Sequence, residues 1–172
     1  MFYKTLFLCL SISFGLTIQA QQMTNERLGE LLRAQSDTLI GQAGNWTFQA
    51  GALTMLCITD AEVNRMRIIS PVAELKDVSE EQLAAALSAN FHSALDVRYA
   101  VADGIMWVAF IHPLRELSAE QVNDAVAQVY NAVLTFGDTY SSTDLIFPGG
   151  SSQEEEVEEE DKRVDGKDVR RF

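Results

Sequence analysis

Hydrophobic positions along the chain fall into blocks whose spacing changes from helical to alternating and back. From Met23 to Gly41 the residues Leu28, Leu31, Leu32 and Leu39 recur at helical intervals. Thr24 stands where an N-cap accepts a backbone N–H and Gly41 where a helix can end, so the spacing predicts a first helix over this span. Between Asn45 and Asp60 the spacing becomes alternating: Trp46, Phe48 and Ala50, then Leu53, Met55 and Cys57, interleaved with other residues and interrupted at Gly51. Two strands joined by a tight turn near Ala50–Ala52 are expected. Met66 to Val72 reads as a third strand, with Pro71 predicting an edge or an exit because it has no N–H to give to a ladder.

Ser79 followed by Gln82 forms a capping box, and behind it Leu83, Leu87, Phe91 and Leu95 make one apolar stripe at fourfold spacing, predicting a second helix. Val97, Tyr99 and Val101 then alternate up to Asp103-Gly104, and Ile105, Trp107, Ala109 and Ile111 alternate after it. Asp-Gly between two such runs marks a hairpin turn of the primed type. Met106, Val108 and Phe110 make the second strand of this hairpin apolar on its other side too, so it is expected to be central in the sheet or covered by a partner. Ser118 and Gln121 repeat the capping box ahead of a third helix, with Val122, Val126, Val129, Val133 and Phe136 inward and Gly137 at its end. The expected fold is α+β: a five-stranded antiparallel sheet with three packed helices, in the order α-β-β-β-α-β-β-α.

The two ends are of different character. The first twenty residues, MFYKTLFLCLSISFGLTIQA, place Lys4 ahead of an apolar stretch from Thr5 to Ile18, with Ala20 before Gln21, which is the pattern of a secretory signal peptide cleaved after Ala20. That stretch of about 14 residues is short of the roughly 20 that a spanning helix needs, so no stable membrane insertion is expected after cleavage. From Ser151 the composition turns to SSQEEEVEEEDKRVDGKDVRRF; Glu154 to Asp161 holds seven acids, and the five bases all follow. A solvated tail is expected there, either a solubiliser or a docking segment. The chain thus divides into a signal peptide over 1–20, a folded domain over 21–150 and an acidic tail over 151–172.

The 172 residues carry a formal charge of −12 at pH 7 with 47% hydrophobic residues, which suits one compact domain and excludes a nucleic-acid binder of the ordinary basic kind. Loss of the leader removes Cys9 and leaves Cys57, which cannot form an internal disulfide, so the domain has to be held by packing. W-x-F-x-x-G over Trp46–Gly51, TMLCITD, NRMRIISPV and VRYAVADGIMWVAFIHPL followed by a capped helix resemble the YbjN family over roughly Thr24 to Phe136. The resemblance implies a fold like that of type III secretion chaperones, a role in sensory regulation, and homodimers that hold a partner chain in extended form. The export signal departs from the cytoplasmic chaperones.

No catalytic or metal-binding constellation stands out. His92 and His112 have no partner at metal-ligand spacing, and Cys57, flanked by Leu56 and Ile58, reads as a buried, inert thiol. Glu80 and Glu81 complement a helix dipole, and the ten glycines form no phosphate loop. Asn45-Trp46-Thr47 is a formal glycosylation sequon that the bacterial resemblance argues against. The polar stretch Asp60, Asn64, Arg65 and Arg67 is either a recognition loop or a capped turn. Leu83, Leu87, Phe91, Val97 and Tyr99 are expected to form a dimer or partner surface. The expectation is therefore a non-enzymatic, cofactor-free module for a protein or peptide partner, homodimeric and periplasmic or secreted. The alternative is a small-molecule or ion sensor using the Asp60–Arg67 loop or the acidic tail, and a hydrolase built on Cys57 or His112 remains only formal.

Overall fold

The computed structural model describes residues 22–143; the expected leader and acidic tail lie outside the described residues. The elements run α1 (Asn25–Gln35), β1 (Thr38–Gln42), β2 (Asn45–Ala50), β3 (Leu53–Asp60), β4 (Arg65–Glu74), α2 (Glu80–His92), β5 (Val97–Ala102), β6 (Ile105–His112) and α3 (Ala119–Leu134). One antiparallel sheet takes the order β1-β2-β3-β4-β6-β5. It has six strands where five were expected, and the extra one is β1. The predicted first helix ends at Gln35 because Ser36 turns extended, and Leu39, which matched the helical spacing, belongs to a strand instead. Gly41 is no helix stop: it sits opposite Trp46 with φ +114, and an added Cβ would lie 2.2 Å from the Asn45 carbonyl oxygen.

The turns follow their residues. Gly51, with φ +56, closes β2–β3, and Asp103 and Gly104, both at positive φ, make the primed turn of β5–β6. Both capping boxes form: the Ser79 and Ser118 hydroxyls accept from Gln82 N–H and Gln121 N–H, whose side chains accept from the serine amides in return. β4 is interior rather than an edge, paired with β3 and β6. Pro71 is tolerated because β3 pairing has stopped at Ile69 and a bulge separates Pro71 from Ala73; the buried Ser70 hydroxyl donates to the Thr54 carbonyl at 3.0 Å.

The core lies between one sheet face and the helices. Trp46, Phe48, Met55, Cys57, Met66, Ile68, Met106, Val108, Phe110, Val97 and Tyr99 point to that side and are buried against Leu28 and Leu32 of α1 and Val122, Val126 and Val129 of α3. α2 lies along the β5 edge. It turns inward the small Ala86 and Ala89; of the apolar stripe Leu83 is half-buried, and Leu87 and Phe91 are 70% and 87% exposed.

Candidate functional site

Among the described residues no helix lies on the opposite sheet face, and its side chains follow from strand parity. One row crosses all six strands: Ile40, Thr47, Leu56, Ile69, Ala109 and Arg98. The next holds Gln42, Asn45, Ile58, Arg67 and Ile111, and Pro71, Trp107 and Ala100 stand side by side on the other flank. Of the six described isoleucines only Ile68 faces the core; Ile40, Ile58, Ile69, Ile105 and Ile111 face outward. Ile40 and Ile111 are 67% and 61% exposed, while Leu56, Ile58, Ile69 and Trp107 are half-buried. A contiguous apolar patch on an uncovered sheet is the mark of an interaction surface. The signal in the sequence was the strand Ile105–His112, apolar on both sides; it is interior in the sheet, and no described element covers its outer side.

The expected surface of Leu83, Leu87, Phe91, Val97 and Tyr99 is divided by the structure. Leu87 and Phe91, one turn apart on α2, form an exposed pair, and the Phe91 ring meets His92 edge-on at 4.8 Å. Val97 and Tyr99 belong instead to the core, because odd positions of β5 face the helices: Val97 is fully buried and the Tyr99 hydroxyl donates to the Ala132 carbonyl at 2.8 Å. Burial pushes the Tyr99 hydroxyl pKa up to about 12. β5 is an edge strand, and α2 covers it through Asn90, whose amide donates to the Tyr99 carbonyl and accepts from the Tyr99 N–H at 3.1 and 2.7 Å.

The polar stretch Asp60, Asn64, Arg65 and Arg67 acts as two separate things. The Asp60 carboxylate accepts from the Glu62 and Val63 amides, and Asn64, at φ 54, accepts from the Arg115 N–H and donates to Glu116 at 2.8 and 2.9 Å. Arg65 returns to the Asn64 carbonyl and Arg115 reaches that of Ala61, so the turn is latched to the connection before α3. The bond from Asn64 holds the Glu116 carboxyl below its usual range. Arg67 takes no part and stands on the open face between Ile58 and Ile111.

Cys57 is fully buried between Trp46 and Ile68, and desolvation pushes its pKa up to about 12, the opposite of what a thiolate nucleophile needs. His112 stacks on Phe110 and its Nδ1 lies 2.8 Å from the Pro113 carbonyl oxygen. A cleft of about 290 Å³ opens at this end of the sheet, lined by Asp96, Arg98, His112, Gln121 and Asp124. The buried Gln128 amide ties Asp96 to Asp124 at 3.2 and 2.8 Å. Among the described residues no three His, Cys, Asp or Glu side chains gather as metal ligands, and no helix is long and apolar enough to cross a membrane.

No family model matches the chain, so membership of the YbjN family has no support beyond the strand patterns. No curated protein matches it either. Among solved structures the chain is similar to a chain of the HopA1-SchA chaperone-effector complex, at 16% identity and a TM-score of 0.51 over 63% of this chain and 88% of that one. The two chains therefore share an α+β fold, here with a helix-backed antiparallel sheet.

Proposed function

We propose that the chain is a non-enzymatic, exported protein-binding module that lays an extended segment of a partner across its open sheet face and dimerises through the exposed side of α2. The observation that carries this reading is the outward-facing set Leu56, Ile58, Ile69, Trp107 and Ile111, an apolar surface that the chain's described elements leave uncovered. Burying such surface is worth about 25 cal/mol per Å², and the described chain forgoes it. The similar solved structure is a chaperone-effector complex, a protein–protein assembly, which supports a protein as the ligand. Dimerisation is supported by Leu87 and Phe91, and export to the bacterial periplasm or beyond by the leader pattern of residues 1–20. A small-molecule sensor is the second reading, favoured by the polar cleft at Asp96, Arg98 and Asp124.

Selection of short random peptides on the native chain and on Ile69→Asp tests the main reading. Ile69 stands mid-sheet and half-buried on the open side, so a carboxylate there spoils the apolar row at little cost to the core. The native chain is expected to enrich peptides with alternating apolar residues, and Ile69→Asp to lose them. Peptides that bind both proteins equally would remove the open face from the account.

A further inference from the structure

We propose that the cleft beside His112 is a site for a small zwitterion, a free α-amino acid with an aliphatic side chain; the inference rests on the second reading above, of this cleft as a small-molecule site, and not on the open sheet face. The start of β5, the end of β6 and the first half of α3 meet here, and the walls carry Asp96, Arg98, Phe110, Ile111 and Asp124. The two carboxylates are held from behind. Gln128, buried one turn after Asp124, donates from its Nε2 to Asp96 at 3.2 Å and to Asp124 at 2.8 Å, and its Oε1 accepts the Asp96 N–H at 3.1 Å. Two oxygens bonded to one nitrogen lie within about 6 Å of each other, a spacing that lets one ammonium group donate to both. Among the described residues the second oxygen of each carboxylate takes no hydrogen bond, so both remain open to a ligand.

Arg98 puts the opposite charge into the same space, yet the two signs do not neutralise each other. Among the described residues the ion pairs are Arg27–Glu30 and Lys76–Glu74, and the Arg98 Nη1 donates to the Leu95 and Val97 carbonyls, which leaves Nη2 and Nε without an acceptor. Two carboxylates and a guanidinium that share a cleft, each tied to a different group of the protein, are completed by a molecule that carries both charges. Its ammonium meets Asp96 and Asp124, and its carboxylate takes the open edge of Arg98, the pairing in which arginine forms two parallel bonds. A simple cation would stand beside Arg98 and a simple anion beside two aspartates, so either alone is opposed. Size narrows the class further. The cleft of about 290 Å³ holds about ten water-sized groups, which is one amino acid and not a peptide. Its apolar wall, Ile111 beside the buried Phe110, suits an aliphatic side chain.

The Gln128 side-chain amide reports on the site, because its N–H groups touch both aspartates. Its NMR signal is followed in the full chain while the common L-amino acids, L-leucine, L-isoleucine and L-valine first, are added one at a time to about 10 mM, above a Kd of about 1 mM. At least one aliphatic amino acid is expected to shift the signal saturably. The carboxamide of that amino acid, which keeps the ammonium and loses the carboxylate, and its N-acetyl derivative, which does the reverse, are each expected to bind at least about tenfold more weakly, since each lacks one charge-assisted contact. Asp124→Asn and Arg98→Gln are expected to weaken the amino acid to the same extent; both side chains are exposed, and backbone signals that stay in place away from the cleft show that the fold is kept. A carboxamide that binds as tightly as the amino acid would overturn the zwitterion while leaving the cleft a small-molecule site. Binding that is unchanged in both variants would also overturn the proposal, by placing the site elsewhere. No saturable shift with any amino acid, carboxamide or N-acetyl derivative would remove the proposal and the sensor reading of the cleft together.

Discussion

Asn90 meets the outer edge of β5 with both ends of its amide, so one side chain does for the Tyr99 peptide group what a seventh strand would do. Asn90→Ala leaves that donor and acceptor without their partner beside a close-packed helix, and it is expected to lower stability by about 1–3 kcal/mol in urea unfolding. An equal midpoint in the variant would mean that water serves the edge as well as the amide does. Cys57 gives a second test at this scale. Its thiol ionises near pH 9 in the unfolded chain and near 12 when folded, so the native state keeps a proton that the unfolded state has lost. Stability from this source is complete below pH 9 and falls by about 1.4 kcal/mol per pH unit between those values. Tyr99, raised to about 12 from 10, adds to the fall at the alkaline end. Cys57→Ala is expected to flatten the alkaline limb of the stability curve relative to the native chain, and an unchanged slope would place the thiol in contact with water.

At the scale of elements, the features written into local residue order were legible and those decided by packing were not. Two serine capping boxes, the Asp103-Gly104 turn and the alternation in β2, β3, β5 and β6 are local and appear where the sequence put them. β1 was hidden because Leu39 happens to continue the spacing of Leu28, Leu31 and Leu32, and because a strand glycine such as Gly41 looks the same on paper as a helix stop. For α2 the sequence showed an apolar stripe but not which residues would meet the sheet. Hydrophobicity favours Leu87 and Phe91, but only the small Ala86 and Ala89 let the helix approach the β5 edge closely enough for Asn90 to reach it. Val97 and Tyr99 were put on the surface although strand parity sends them to the core. The pair left outside on α2 carries its own prediction: Phe91→Asp is expected to shift a dimer to monomer in sedimentation velocity, with little effect on thermal stability because the ring is 87% exposed. A dimer of unchanged affinity would move the self-association surface away from α2.

Across the whole molecule, the two sides of the sheet do different work with similar residues. The helix side is filled with methionine, aromatic and valine side chains, and it accounts for the fold. The other side gathers five of the six described isoleucines with Leu56, Trp107 and the arginines Arg65, Arg67 and Arg98, and packing within the described chain gives no reason for its apolar part. That surface was half legible: the two-sided apolarity of Ile105–His112 was visible, but its continuation through Ile69, Leu56 and Ile40 needs the strand order β1-β2-β3-β4-β6-β5, which no local pattern contains. Likewise the stretch Asp60–Arg67 looked like one polar loop, and only the fold separates the latch made by Asp60 and Asn64 from Arg67, which stands among the isoleucines.

The central claim is that the open face receives a partner segment, and isoleucine methyl NMR tests it most directly. Titrating a selected peptide into chain labelled at the isoleucine methyls should shift Ile58, Ile69 and Ile111 together, while Ile68, on the same strand as Ile69 but buried on the helix side, stays in place. Saturable binding that leaves those three methyls unmoved would contradict the account.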